Sequence, residues 1–484
     1  MVKVSKHSKS ISLKIQTENK KFQDQHFWKV NPSNNKYIID PAQLREFLIL
    51  NGFAVLNSFG GSLIIKNTCN IIDFVCPQDI FNSCLTYANN QENKALTSEF
   101  LVKGEQLLIS KKALIGSLPE LELTNYKDNK RLAHYFYENG VVRVDSEGSK
   151  LLTYKQFKSE NQYIFKSAII KRNFDSGIEI KSQFEKFLRL VTNSNEHFLN
   201  VKITIGFLLH KYKNPSIAKA VIISDILSQA TNEPHGRSGK GIIIKALGKL
   251  TNTIEYNGKN LDLKRDKFVY QSIEPDTDLF VIQDVGKGFE FDDLFSVITD
   301  NLNVERKYSK KIIIDYINSP KIVITTNYTI PHNSDSYSDR KQPLFLNNHF
   351  NAHNKPEQKF KNQFFNEWSE EEYKSFDKFM MFCLQTYLHH GLIKYDDPDL
   401  RKQNLIINTS EKFVALMETE FKSNKEYFSL KKLANQLDIN SNEPSVRSRV
   451  ASQWLQAYAD FKSLKFETIT SAGFTKFILT KNQL

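Results

Sequence analysis

Cysteine is scarce. The 484-residue chain carries four, at Cys69, Cys76, Cys84 and Cys383. None belongs to a C-x-x-C pair, and no histidine stands at a spacing that completes a zinc site. That argues against a zinc ribbon and a disulfide-stapled fold; reduced thiols are expected. Long apolar runs are missing too. No stretch approaches the roughly 20 apolar residues of a membrane span. The opening segment Lys3–Lys21 is lysine-rich, without the apolar centre of a signal peptide, so residues 1–25 are expected to form a basic flexible tail. A soluble cytoplasmic chain with no membrane partner is the expectation. There is no internal repeat and no low-complexity tract. An acidic triad able to polymerise nucleotides is also lacking from the N-terminal half, so nothing there supports primase chemistry.

Basic residues are in excess. Lys and Arg number 66 against 54 Asp and Glu, a net charge of +12, and the pI is near 9.1. This balance favours a polyanionic partner. The length allows several domains and a sizeable core.

The most informative stretch is Glu233-Pro-His-Gly-Arg-Ser-Gly-Lys-Gly241, followed by the apolar run Ile242–Leu247. A glycine-rich loop entering a helix turns backbone N–H groups inward and adds the positive end of the helix dipole. Lys240 then stands where it would meet the β- and γ-phosphates of a nucleotide. Glu233, Gly236, Arg237, Ser238, Gly239, Lys240 and Gly241 form the candidate nucleotide-binding set. Two further elements follow in order. The run Asp278–Asp284 reads as an apolar strand ending in a polar pair, placing Asp284 to hold the water shell of Mg²⁺. The run Lys321–Asn327 reads as a second strand, whose Asn327 would orient the attacking water or sense the γ-phosphate. Between them, Asp300–Ile314 has a basic, aromatic centre and predicts a β-hairpin. Its Arg306, Lys307, Tyr308, Lys310 and Lys311 suit a single-stranded backbone, by phosphate pairing and base stacking; a solvated surface hairpin is the bland alternative.

These segments together resemble superfamily 3 helicases, the hexameric ring motors of DNA viruses, phages and plasmids. Glu233–Gly241 matches motif A, Phe280–Asp284 motif B, Val304–Lys311 the hairpin and Lys321–Asn327 motif C. Ser338–Leu346 resembles the segment bearing the family's arginine finger, which implies that role for Arg340. Ile205–Lys213, Ala220–Asp225, His349-Phe350 and Phe364–Trp368 resemble phage and mobile-element primase–helicases. The resemblance spans roughly 180–385. It implies ATP and Mg²⁺ as cofactors, single-stranded and forked DNA as partners, a homo-oligomeric ring of six subunits, and replication of a phage or mobile element in a host cell, alongside other replication proteins.

Four departures qualify it. Pro234 replaces the first glycine of G-x-x-x-x-G-K-[ST], and Gly241 replaces the Mg²⁺-binding hydroxyl. Gln283 replaces one member of the acidic pair, leaving Asp284 alone, with Glu233, Asp292 and Asp293 as possible helpers. The apolar run ending at Asp225 stops several residues before the loop, so Leu227–Thr231 is an alternative entering strand. A nucleotide-gated DNA-binding initiator with little hydrolysis is therefore the rival reading.

The fold expected is α/β, a P-loop NTPase core on a parallel sheet. A small α+β domain precedes it over 26–175, with a strand at Lys36–Asp40, a Pro41-led helix, strands at Gly52–Leu56 and Ser62–Lys66, and a helix over Ile71–Asn89. A helical lead-in covers 176–215, the core 216–350 and a helical cover 351–395. In 396–484, helix, turn, helix and hairpin follow in winged-helix order, so the second helix, with Arg447 and Arg449, is a candidate for a major groove.

Overall fold

The computed structural model describes residues 26–58, 61–111, 114–157, 162–226, 237–274, 276–286, 289–307, 311–327, 335–393, 395, 401–402, 405–406, 409–420, 427–437, 439, 444–471 and 474–481. Glu233, Gly236, Tyr308 and Lys310 lie outside the described residues, as does the tail 1–25.

The N-terminal region opens with β1 (Trp28–Val30) and β2 (Tyr37–Ile39), then α1 (Pro41–Leu50). Asp40 caps α1 by accepting from the Ala42 and Gln43 N–H groups, and Pro41 fills the first turn, where no N–H is required. There follow β3 (Phe53–Ser58), β4 (Gly61–Thr68), β5 (Ile71–Phe74), α2 (Pro77–Asn89), α3 (Lys94–Glu105) and β6 (Thr124–Asn125). Ile71–Phe74 is a strand, not the start of a helix. It pairs with β4 and with a later strand, and a short apolar run fits either period until its neighbours decide.

Next come β7 (Ala133–Tyr137), β8 (Gly140–Val144), β9 (Ser149–Leu152), β10 (Gln162–Phe165) and β11 (Ile169–Ile170). Strand β10 joins the first sheet, in the order β3-β4-β5-β10-β6, while β11-β7-β8-β9 form a second. Residues of β7 and β8 share one apolar core with the two helices that follow, α4 (Gln183–Leu190) and α5 (Asn195–Leu209). Ser182 and Ser194 cap these helices.

The central sheet is built from β12 (Ala220–Asp225), then, after α6 (Lys240–Gly248), β13 (Thr253–Asn257) and β14 (Leu279–Val285). Short helix α7 (Phe295–Thr299) leads to the hairpin β15 (Leu302–Val304) and β16 (Ile312–Ile314), then β17 (Lys321–Thr326), α8 (Asp335–Arg340) and β18 (Lys341–Leu346). The sheet order is β13-β14-β17-β12-β18, with every pairing parallel. Both faces are buried, as a parallel sheet requires. Val221, Ile223, Val281 and Val323 face α5 and α6; Ala220, Ile222, Phe280, Ile282 and Ile324 face α7 and the hairpin. Strand β12 comes first in the chain yet sits between the fourth and fifth strands of this sheet. The chain order thus reverses beside it, which opens a crevice at the strands' carboxyl ends.

Helices α9 (Pro356–Phe360) and α10 (Glu370–His390) follow. Helix α10 lies against α5 so closely that a Cβ on Gly206 would meet the Cys383 carbonyl at 2.1 Å. Arg172 locks α10 down through a bidentate pair with the buried Asp377 carboxylate, 2.6 Å on each side. The C-terminal region contains α11 (Glu411–Glu420), β19 (Phe428–Ser429), α12 (Leu430–Gln436), α13 (Pro444–Lys462), β20 (Leu464–Ser471) and β21 (Phe474–Lys481) around a separate apolar core. The two helices and the hairpin thus occur in the order read from the sequence, with β19 adding a third strand beside β21; the turn expected between the helices lies outside the described residues.

Candidate nucleotide site

The carboxyl ends of β12, β14 and β17 bring the motif residues together. Gly239 precedes α6 in the left-handed region at φ +104, and a Cβ there would strike the Phe187 ring at 2.5 Å. Only glycine satisfies both demands. Lys240 begins α6 with its side chain turned inward, 8% exposed. Its Nζ donates to Asp225 Oδ2 at 2.6 Å and to Asn327 Oδ1 at 2.7 Å. Ser238 Oγ donates to the other oxygen of Asp225. The alternative entering strand, Leu227–Thr231, lies outside the described residues; the carboxylate that ends β12 is neutralised by the loop's own lysine.

Asp284 sits at a bulge where the β14–β17 register shifts between Ile282 and Val285. Its φ of +54 is a left-handed value rare for a residue with a side chain. The Asp284 N–H donates to Thr325 Oγ1 at 2.9 Å, and Thr326 Oγ1 donates to the Val285 carbonyl at 3.1 Å. Two threonines of β17 thus hold the bulge and leave the Asp284 carboxylate exposed at the strand end. Gln283 turns aside and donates to Glu255 on β13.

Among the described residues no group of three or more His, Cys, Asp or Glu forms a metal cage. The donors present still fit Mg²⁺ carried by a nucleotide, which needs one or two protein carboxylates besides phosphates and water. Asp284 is the exposed carboxylate at this end of the sheet, whereas both oxygens of Asp225 are engaged by Ser238 and Lys240. A Cβ on Gly241 would meet nothing within 4 Å, so the place of the usual hydroxyl is open space. Of the helper acids, Asp293 pairs with Lys264 at 3.4 Å, and Asp292 stands exposed at the same turn.

Arg340 lies elsewhere. It ends α8, and the next residue, Lys341, pairs with Ala220 at the amino end of β12. Lys240 is at the other end of that strand, roughly 16 Å away by strand rise. The Arg340 guanidinium stacks on Phe295, 4.5 Å from the ring centroid. It cannot serve the phosphate loop of its own chain.

The hairpin forms as expected, with Leu302, Val304, Ile312 and Ile314 packed into the core on one sheet face. Arg306 is turned back, donating to the Ile273 carbonyl at 2.6 Å and pairing with Glu274 at 3.2 Å. Lys307 is exposed, its Nζ 5.8 Å from the Phe268 centroid, and Lys311 is exposed.

Sequence reasoning named Lys240, Asp284 and Asn327 but missed Asp225 and Thr325 as members of the site. The signal for Asp225 was an acid closing the six-residue run Ala220–Asp225. Its distance in sequence from the loop hid the contact.

No protein-family model matches this chain, and neither does any curated protein. Solved structures similar to it include the A form apo structure of the NrS-1 C-terminal region, at 13% identity and a TM-score of 0.38, covering 92% of this chain and 100% of that one. Another is the apo structure of NrS-1 residues 305–718, at 14% identity and a TM-score of 0.36, covering 92% and 99%. At such low values these likenesses assign neither a fold nor a function.

Proposed function

We propose that this chain is an ATP-driven DNA helicase of the superfamily 3 type, acting in replication of a phage or mobile element. The observation that carries the reading is the convergence on Lys240 of Asp225 and Asn327, from adjacent parallel strands, at the crevice where strand order reverses. An ammonium at a helix N-terminus in that crevice is suited to a nucleotide's phosphates. The exposed Asp284 would then face the Mg²⁺ shell and Asn327 the γ-phosphate.

The position of Arg340 supports a ring. Its charge would complete a neighbour's site, since it lies a strand's length from its own. Six subunits is what the sequence resemblance implies. Lys307, Tyr308, Lys310 and Lys311 would present charge and a ring to single-stranded DNA in the channel. Helix α13, with Arg449 exposed, would add a duplex contact in a winged-helix arrangement.

Gly241 and Gln283 favour one second reading, a nucleotide-gated initiator with little hydrolysis. ATP turnover with and without single-stranded DNA separates the two. The helicase predicts DNA-stimulated turnover that Lys240→Ala abolishes. That change leaves the buried Asp225 carboxylate unpaired, so Lys240→Ala/Asp225→Asn accompanies it as the variant with no orphaned charge. Turnover at the wild-type rate in either variant overturns the site. Nucleotide binding without turnover in the wild type selects the initiator.

A further inference from the structure

A second group of buried lysines lies at the opposite end of the sheet. A cavity of about 80 Å³ opens between the N-terminal region and the amino ends of β14 and β17. Its lining includes Lys127, Lys213 and Lys321. Lys213 and Lys321 are 7% and 5% exposed, while Lys127 stands exposed at the rim.

Among the described residues none of the three has a carboxylate within ion-pair distance. Lys127 donates to the Ile317 carbonyl at 3.3 Å, Lys213 to Ser319 Oγ at 2.7 Å, and Lys321 to the carbonyls of Phe207 and His210. Aromatic faces supply the rest: Lys213 is 4.1 Å from the Tyr316 centroid and Lys321 4.1 Å from that of Phe207. Burial, then the charge of Lys127, pushes Lys213 down to about 7; burial, then Lys213, does the same to Lys321.

Three acids also line the cavity, and each is engaged. Asp278 pairs with Lys211 at 3.0 Å and accepts the Asn252 N–H. Asp128 accepts the N–H groups of His134 and Lys211. Asp276 accepts from Ser167. His134 is bound to Tyr126. His210, 1% exposed, gives its Nε2–H to the Asn129 carbonyl, and its Nδ1 is buried with no hydrogen-bond partner. That nitrogen is an acceptor lacking a donor.

Ammonium groups with no carboxylate in ion-pair contact, offset only at longer range by Asp128, Asp278 and Asp315, stand beside one neutral acceptor and suit an anion that still carries a proton. Sulfate and a phosphodiester cannot take up a proton near pH 7; inorganic phosphate and a phosphate monoester, with a second pKa of about 6 to 7, can hold one in such a site. We propose that this cavity is a second phosphate site, taking inorganic phosphate or a terminal phosphate monoester on Lys127, Lys213 and Lys321, with a P–OH donated to His210. The ligand is either free phosphate or the 5′-phosphate of a DNA strand. The assignment is independent of the nucleotide reading above.

The test uses the full chain carrying Lys240→Ala/Asp225→Asn, whose phosphate loop has lost its cation, so failure here says nothing about that loop. Calorimetric titration with inorganic phosphate should show saturable binding, with sulfate at least about tenfold weaker because it leaves Nδ1 unpaired. Adding Lys213→Met should weaken phosphate by roughly tenfold or more; Lys127→Gln, a rim change that leaves the core intact, should weaken it by about threefold or more. Oligo-dT with and without a 5′-phosphate identifies the source. A preference for the phosphorylated strand that Lys213→Met removes assigns a DNA end; no preference, with phosphate still bound, assigns the free ion. Sulfate binding as tight as phosphate, or no loss of affinity for phosphate and the 5′-phosphorylated strand in both lysine variants, overturns the proposal.

Discussion

The two ends of the parallel sheet treat buried lysine in opposite ways. At the carboxyl end, Lys240 is closed between the Asp225 carboxylate and the Asn327 amide. At the amino end, Lys213 and Lys321 find only carbonyls, a hydroxyl and ring faces. The first arrangement is neutral as it stands, so an incoming phosphate must compete with a carboxylate already in place. The second holds lysines that no carboxylate touches, with Asp128 and Asp278 acting on Lys321 only at longer range, so an anion entering it displaces no ion pair. A lysine's neighbours, more than its burial, decide whether its site resists or invites an anion.

The largest effect expected belongs to Arg340, which lies at the amino end of the sheet yet is assigned to nucleotide chemistry. If it completes a neighbour's site, Arg340→Ala lowers ATP turnover by roughly 10³ or more, with nucleotide affinity nearly unchanged. Mixing Arg340→Ala with Lys240→Ala/Asp225→Asn subunits should restore part of the activity, because one intact site forms across their interface. Assembled mixed rings with no recovered turnover would show that the two ends do not meet between subunits.

Stability separates the ends next. Lys213 ionises at about 7 in the folded chain, below the ordinary lysine value of about 10.4. Between those values the unfolded chain binds more protons, so this group makes stability rise with pH across that window. Below pH 7 both states are protonated and the burial penalty is complete. Lys213→Met should therefore stabilise the fold by roughly 1–4 kcal/mol at pH 6, with the gain fading towards pH 10. Denaturant melts at the two pH values check this. A loss of stability at pH 6 would mean that Lys213 has a counter-charge after all.

Asp225→Asn tests the other end. It removes the carboxylate that competes with phosphate for Lys240, so metal-free nucleotide affinity should rise by about tenfold, the worth of about 1.4 kcal/mol. Fluorescent-nucleotide titration in EDTA is the measurement. Tighter binding supports Asp225 as a stand-in for phosphate; weaker binding would give it a direct part in holding the nucleotide.

The same contrast explains what was legible in the sequence. The loop, Asp284 and Asn327 each lie within a short run whose period and ending can be read locally, and the glycine at 239 is demanded by its own φ and by Phe187. The β12 strand and the hairpin were readable for the same reason. Asp225 was not, because residues 226–238 separate it from Lys240 and the pairing exists only once the strand and loop fold back. The amino-end cavity was hidden further: Lys127, Lys213 and Lys321 come from three remote segments, and each alone is an unremarkable lysine. Ile71–Phe74 was misread because a four-residue run takes its period from its β4 and β10 partners.

The smallest effect expected lies in the open space beside Lys240. A Cβ at Gly241 meets nothing within 4 Å, so serine fits without moving a neighbour. In the first turn of α6, replacing glycine also restricts the unfolded chain, worth about 0.5 kcal/mol of stability. The added hydroxyl supplies the ligand that Mg²⁺ takes from this position in the usual loop. Gly241→Ser should therefore raise Mg²⁺-dependent ATP turnover by a few-fold, about the worth of one neutral hydrogen bond, and leave metal-free nucleotide affinity unchanged. Turnover measured against Mg²⁺ concentration separates the outcomes. A shift of the curve to lower Mg²⁺ places the metal beside residue 241. An unshifted curve in a folded, slightly stabilised variant would place it instead on Asp284 alone, at the far side of the crevice.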